Sequence, residues 1–357
     1  MLKISKNSSC GRTVTRYTLK ALSKYYVYRE KTPLMSKKNC ELYEHITDAI
    51  GSTPLVRAPF IRVPCYAKLE YFNPGGSIKD RSAWYMIRKA EERGDLKPGG
   101  TIIEASSGNQ GISAAYIGTS RGYRVIVTVS EKVSQEKKST LEAYGATIIT
   151  CPPTTLLTDP RSYHSVALAL HKSTPNSFML NQYFNPDNPC AHYASLGPEL
   201  WRQTEGKITH FIAGAGSGGT ISGAGRYLKE QNPAIRIIAV DAATSYRTTH
   251  GHPQPYALEG LGVDYDTPLL DTTAIDQFIG VSDDNALAML KKMAHSYGFL
   301  VGPASGAVAH ATLELSSQLP DDSLVVMLFG DSGRAYLTKH FFARQTTDDT
   351  MHGAFQS

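Results

Sequence analysis

The sequence has few cysteines and no long apolar run, and each shortage excludes a class of protein. Its five cysteines, Cys10, Cys40, Cys65, Cys151 and Cys190, are scattered with no C-x-x-C pair. That spacing builds neither a disulfide framework nor a zinc ribbon, and a reducing compartment is the natural setting. No stretch nears the roughly 18 consecutive apolar residues of a membrane-spanning helix. The nearest are short runs such as Val325 to Phe329, so the chain is expected to be soluble and away from membranes. Acids are nearly missing from the first 40 residues, which hold ten Lys and Arg against Glu30 alone. Beyond them the balance reverses to 27 basic and 31 acidic residues, so the formal charge of +5 describes the leader and not the body. No clustered basic stripe marks a nucleic-acid surface.

The leader, about residues 1–40 and rich in Ser and Thr, fits a disordered tail, a transit peptide or sequence ahead of a start at Met35. A cytoplasmic location is expected, or a mitochondrial one if the leader is a transit peptide. The polar segment 346–357 reads as a frayed tail. With 41% hydrophobic and 19% charged residues, the 357-residue chain can bury one large core or two medium ones.

What is present is alternation. Thr101 to Ala105 reads as a strand, Asn109 to Ser120 as a helix, and Tyr123 to Val129 as a strand. Ser134 to Tyr144 reads as a helix ending at Gly145, and Ala146 to Thr150 as the next strand. After a Pro-rich interval, Cys151 to Pro160, come the strand Ile208 to Ala213, the helix Thr220 to Glu230 and the strand Ile235 to Val240. Helices Asp283 to Tyr297 and Ser305 to Ser317 and the strand Ser323 to Phe329 follow. Such alternation predicts an α/β protein of two lobes, with parallel sheets flanked by helices.

Three polar motifs interrupt it. Gly214 to Gly223 reads G-A-G-S-G-G-T-I-S-G between a strand and a helix, a loop whose amides close on an anion. Because Gly214, Gly216 and Gly219 also match G-x-G-x-x-G, with Asp241 at a strand end 22 residues further on, a dinucleotide reading stays open at this point. No Walker lysine follows, which argues against a nucleotide triphosphatase. In N-P-G-G-S-I-K-D-R, Asn73 to Arg81, Lys79 stands at the positive end of a predicted helix, which should depress its pKa and suit a Schiff-base or proton-transferring amine. Asp80 and Arg81 are expected to offset one another beside it. The third motif, S-S-G-N-Q-G over Ser106 to Gly111, offers hydroxyls, carboxamides and a helix N-terminus to a substrate carboxylate.

In this order the motifs resemble those of the fold-type II pyridoxal-phosphate enzymes, specifically the cysteine synthase and cystathionine β-synthase branch, from about Ile50 to Phe342. I-G-S-T-P-L-V (Ile50 to Val56), N-Q-Y-F-N-P (Asn181 to Pro186), A-H-Y (Ala191 to Tyr193) and E-G-L-G-V-D (Glu259 to Asp264) add to the likeness. So do G-P-A-S-G-A (Gly302 to Ala307) and G-D-S-G-R-A-Y-L (Gly330 to Leu337). The dehydrogenase reading explains only one of these motifs.

The resemblance implies a two-lobed, tryptophan synthase β-like fold, with a smaller lobe of about residues 84–185 inserted into a larger one of about 41–83 plus 186–345. It implies pyridoxal 5′-phosphate as cofactor, with Lys79 as its Schiff-base lysine. Gly216, Ser217, Gly218, Gly219 and Thr220 would take the phosphate, Asn109 the ring hydroxyl, and Ser106, Ser107, Gly108, Gln110, Gln182, Tyr193 and Gly260 the substrate. The reaction implied is β-replacement on serine or an O-acetyl or O-phospho serine, through an aminoacrylate, by a thiol, sulfide or amine. A β-eliminating lyase, a diaminopropionate-type synthase and a non-catalytic scaffold are the alternatives, and a homodimer is expected.

Two departures matter. Many relatives carry T-S-G-N-T-G at the carboxylate turn, so Gln110 is expected to shrink or re-aim the pocket. Ala304 stands where a serine commonly meets the ring nitrogen, so Ser305 or Ser332 is expected to take over. Neither a haem motif nor a metal site is expected, His250 and His252 included.

Overall fold

The computed structural model describes residues 42–342, apart from residues 107, 132 and 154–156. The leader and tail expectations and the substrate contact assigned to Ser107 lie outside the described residues. The strands are β1 (Leu55–Arg57), β2 (Cys65–Leu69), β3 (Thr101–Ala105), β4 (Arg124–Ser130), β5 (Thr147–Cys151), β6 (Ser177–Met179), β7 (His210–Gly214), β8 (Arg236–Ala242), β9 (Gln277–Val281) and β10 (Val325–Phe329). The α-helices are α1 (Lys79–Arg93), α2 (Asn109–Ser120), α3 (Gln135–Ala143), α4 (Tyr163–Ser173), α5 (Asp187–Ala194), α6 (Leu196–Gln203), α7 (Gly219–Gln231), α8 (Asp283–Tyr297) and α9 (Pro303–Ser316).

They form two sheets. The larger runs β1-β2-β10-β7-β8-β9 and is parallel except for β1, which pairs antiparallel with β2; the smaller, β5-β4-β3-β6, is parallel throughout. Central β10 is V-V-M-L-F with every residue buried, the continuous apolar pattern of a strand covered on both faces. Helices supply that cover. Met289 and Met293 of α8 and Ala307 to Ala309 of α9 pack on one face of the larger sheet, and Leu200 of α6 and Ile221 and Leu228 of α7 on the other. Met86, Ile87 and Ala90 of α1 join the core of the smaller sheet with Ile112 and Ile117 of α2.

The α/β alternation expected from the sequence is present, with ends coinciding or shifted by one or two residues. No helix or strand was read between Pro160 and Ile208, where the structure has α4, β6, α5 and α6. Strand β6 is three residues long, and α5 carries Pro189 in its first turn, so neither presents a period long enough to read. Parallel strands place their carboxyl ends together, and the polar motifs all leave from such ends: Ser106 after β3, Gln182 after β6, Gly216 after β7 and Gly330 after β10.

Candidate active site

The chain enters α1 over a buried quartet of charges. Arg81 Nε donates to Glu70 Oε2 at 2.7 Å and its Nη1 to Glu199 Oε2 at 3.0 Å, while Lys68 Nζ donates to Glu199 Oε1 at 2.5 Å. Thr53 Oγ1 donates to Glu70 Oε1 and the Gly51 amide to Asn73 Oδ1, each at 2.7 Å, so the Ile50–Val56 and Asn73–Arg81 motifs lock onto one base. Asp80 and Arg81 do not offset one another. Asp80 instead accepts from the Gly75 amide and the Ser113 hydroxyl, both at 2.6 Å, and burial raises its pKa to about 6.

Lys79 opens the helix, held by its amide on Ser77 Oγ at 3.2 Å and by the Ile78 amide on the Gly330 carbonyl at 2.8 Å. Its Nζ makes no hydrogen bond or ion pair among the described residues. Burial pushes the amine down to about 8, against Glu104 and Asp331, which pull it up. Desolvation, more than the helix end, therefore prepares this lysine.

Between β7 and α7, Gly218 takes φ 88°, a conformation open to glycine. The amides of Gly216, Ser217 and Gly218 find no acceptor among the described residues, and beside them, at the start of α7, that of Gly219 reaches only Ser217 Oγ at 3.5 Å. A Cβ on Gly216 would come within 2.8 Å of the Gly260 carbonyl, and one on Gly219 within 2.2 Å of Asn188 Oδ1, so backbone alone fits there. Thr220 Oγ1 lies 3.2 Å from Nε2 of His192, a ring that burial, with the charges of Lys79 and Arg81, keeps neutral. Asn188 Nδ2 ties Ser217 Oγ, at 3.0 Å, to the Gln182 carbonyl, at 2.7 Å. Asp241 is wholly buried and paired with Arg247 at 3.2 Å, which leaves no carboxylate for a ribose and removes the dinucleotide reading.

At the turn after β3, Ser106 is buried and its Oγ accepts the Gly108 amide at 3.2 Å. Asn109 Nδ2 donates to Asp331 Oδ2 at 2.6 Å, and Tyr336 donates to the same oxygen at 2.5 Å. Gln110 is buried. Its Oε1 accepts from Ser82 of α1 at 3.0 Å, while its Nε2 has no partner among the described residues. Gly260, at φ 88°, approaches Ala304, whose Cβ would lie 3.4 Å from a Cβ on Gly260. With Gly216 against the Gly260 carbonyl, these small residues let the two loops approach closely. The Ser305 hydroxyl accepts the Gly330 amide at 3.2 Å, which joins this region to Ile78 and Lys79.

Tyr193 is a correction. Its hydroxyl donates to Glu230 Oε2 at 2.5 Å in the last turn of α7, the end opposite the glycine loop. Ser332 is half-buried, and its hydroxyl caps the following turn through the Arg334 amide at 3.3 Å.

The model of the family described as pyridoxal-phosphate dependent enzyme matches residues 46–331. The chain belongs to that family. The cystathionine beta-synthase of Apis mellifera is 45% identical over 304 residues, 82% of this chain and 60% of that protein. The O-acetylserine dependent cystathionine beta-synthase of Bacillus subtilis (strain 168) is 38% identical over 301 residues, 83% of this chain and 97% of that one. The crystal structure of the O-acetylserine dependent cystathionine beta-synthase from Helicobacter pylori superposes with a TM-score of 0.79 at 37% identity, covering 85% of this chain and 100% of that one. The chain thus spans about three fifths of the length of the insect relative and nearly all of the bacterial ones. The resemblance, the fold-type II architecture and the cofactor expected from the motifs are borne out.

The residues present fit pyridoxal phosphate: unpaired amides for its phosphate, backbone that admits no side chain at Gly216 and Gly219, and an uncommitted amine at Lys79. Several residues of this pyridoxal-phosphate enzyme's cleft escaped the sequence reading. Glu104 is fully buried in β3; burial raises its pKa to about 8, against the amides of Asn181 and Gln182 and the charge of Lys79. Its Oε2 accepts the Asn181 amide at 2.9 Å and so sets the Gln182 loop, while Oε1 has no partner. A lone acid in the apolar run T-I-I-E-A was the available signal. Tyr183, next to Gln182, packs edge-on to Tyr265 with ring centres 5.8 Å apart and stands near Glu104. Lys137 of α3 donates to Glu259 Oε2 at 2.5 Å, and its side chain comes within 2.8 Å of a Cβ placed on Gly108. Among the described residues no cluster of three or more His, Cys, Asp or Glu could hold a metal, and no helix is long and apolar enough to cross a membrane.

Proposed function

We propose that this pyridoxal-phosphate enzyme replaces the β-substituent of an O-activated serine by a thiol, and that homocysteine is the thiol, giving cystathionine. The observation that carries the reading is the uncommitted Lys79 amine, depressed to about 8, in a cleft it shares with a carboxylate-sized polar turn. The printed names of the two bacterial relatives support an acetyl leaving group.

Lys79 Nζ would hold the cofactor, and Gly216 to Thr220 its phosphate. Asn109, fixed by Asp331, would meet the ring hydroxyl. Ser305, fully buried beside Ala304 and tied to the Gly330 amide, is preferred over half-buried Ser332 for the ring nitrogen. Ser106, the Gln110 amide and Gln182 would hold the substrate carboxylate, with the Gly108 amide fixing the Ser106 hydroxyl. Bound there, pyridoxal phosphate withdraws electrons from the substrate Cα, chemistry that side chains cannot supply. Lys79 would take the Cα proton, a task suited to an amine that titrates near neutrality. Helix α3 meets the segment after β10 through Glu136, which accepts from the Thr338 amide and hydroxyl, each at 2.6 Å, and Ser134, which donates to the Ala335 carbonyl at 3.2 Å. Exposed Leu42, Tyr43, Ile46, Val56 and Phe72 support a homodimer as part of the same reading.

Mass spectrometry of products tests it. With O-acetylserine and homocysteine the expected product is cystathionine, formed at a rate that depends on homocysteine. Pyruvate at an unchanged rate with or without the thiol would make the protein a lyase.

A further inference from the structure

The glycine loop is clamped from behind by an arginine outside the motif. Arg247, in the loop after β8, donates from Nη1 to the Ala215 carbonyl at 2.7 Å and from Nη2 to the Gly216 carbonyl at 2.9 Å. The same two nitrogens reach Asp241 Oδ2 at 3.2 Å and Thr267 Oγ1 at 2.8 Å. The Arg247 side chain is 9% exposed and that of Asp241 not at all. A trans peptide points its carbonyl and its following amide in opposite directions. Carbonyls 215 and 216 turned toward Arg247 therefore turn the amides of Gly216 and Ser217 the other way, where they find no acceptor among the described residues.

We propose that Arg247 is a positioning residue for the cofactor phosphate, holding the glycine-loop amides in their anion-binding orientation. The inference rests on the phosphate role of Gly216 to Thr220. Asp241 balances the guanidinium charge, so the effect is one of orientation more than of attraction. It depends on a planar group that spans two carbonyls, which an ammonium cannot imitate.

The test compares pyridoxal phosphate with pyridoxal, which lacks the phosphate, on full-length protein freed of cofactor with hydroxylamine. Dissociation constants are read by fluorescence quenching for wild type, Arg247→Met and Arg247→Lys. Both variants should lose affinity for pyridoxal phosphate by roughly 10- to 100-fold, the cost usual for removing a group that orients binding atoms. Their affinity for pyridoxal should stay at the wild-type value. An equal loss for both ligands would make Arg247 a general structural residue, and wild-type behaviour of Arg247→Lys would show that charge suffices; either overturns the proposal. If Arg247→Met does not fold, Arg247→Lys alone decides between these outcomes. A wild type that does not prefer pyridoxal phosphate over pyridoxal would instead remove the loop's phosphate role.

Discussion

Lys79→Ala is expected to lower turnover by at least about 10³-fold, because the substitution removes both the cofactor's covalent anchor and the base at Cα. Steady-state assays of product, alongside absorbance of the purified variant, check this: the visible band should vanish while the phosphate loop still retains cofactor weakly. The anchor also fixes a pH dependence. Only the neutral amine attacks a carbonyl, and burial holds Lys79 near 8 where an ordinary lysine has 10.5. Capture of pyridoxal phosphate by cofactor-free protein should therefore speed up as pH rises and level off above about 8. A rate still climbing past pH 10 would show that the amine is not depressed.

Arg81→Met should destabilise the protein by about 3–5 kcal/mol, since it leaves Glu70 and part of Glu199 charged and buried without their main cation. Thermal denaturation should register this as a fall of roughly 10 °C. Within the quartet, burial raises the Glu199 carboxyl, but Arg81 and Lys68 outweigh it and bring it down to about 2 from 4.5. A depressed acid stabilises the fold fully above its ordinary value, so this contribution is present above pH 4.5 and fades as pH falls toward 2. Acid unfolding of the wild type should therefore steepen below pH 4.5, and Arg81→Met, in which Lys68 alone still holds Glu199, should show a weaker step. An unchanged melting temperature in the variant would mean that α1 is not anchored through these charges.

The strands that carry the cleft were legible because they are apolar runs between glycine-rich turns, as in Ile208 to Gly223. The glycine loop, Lys79 and the Asn109 turn were legible for the related reason that each breaks such a run at a helix start. Side-chain direction was not. Gln110 reads as a pocket residue from its place in S-S-G-N-Q-G, yet on the first turn of a helix it points to Ser82 of the neighbouring helix. Tyr193 lies in a helix, where the facing α7 decides its side, and α7 draws its phenol to Glu230. Asp241 matched a spacing, but only the fold brings Arg247, six residues later, back onto it. Asp331 and Arg247 act through contacts made across sheets and loops, which no local pattern records.

The central claim is that pyridoxal phosphate sits in this cleft on Lys79. Borohydride reduction of the purified full-length protein, followed by digestion and peptide mass spectrometry, tests it most directly. A phosphopyridoxyl group on Lys79 and on no other lysine is the predicted result. Labelling elsewhere, or none after incubation with pyridoxal phosphate, would contradict the account.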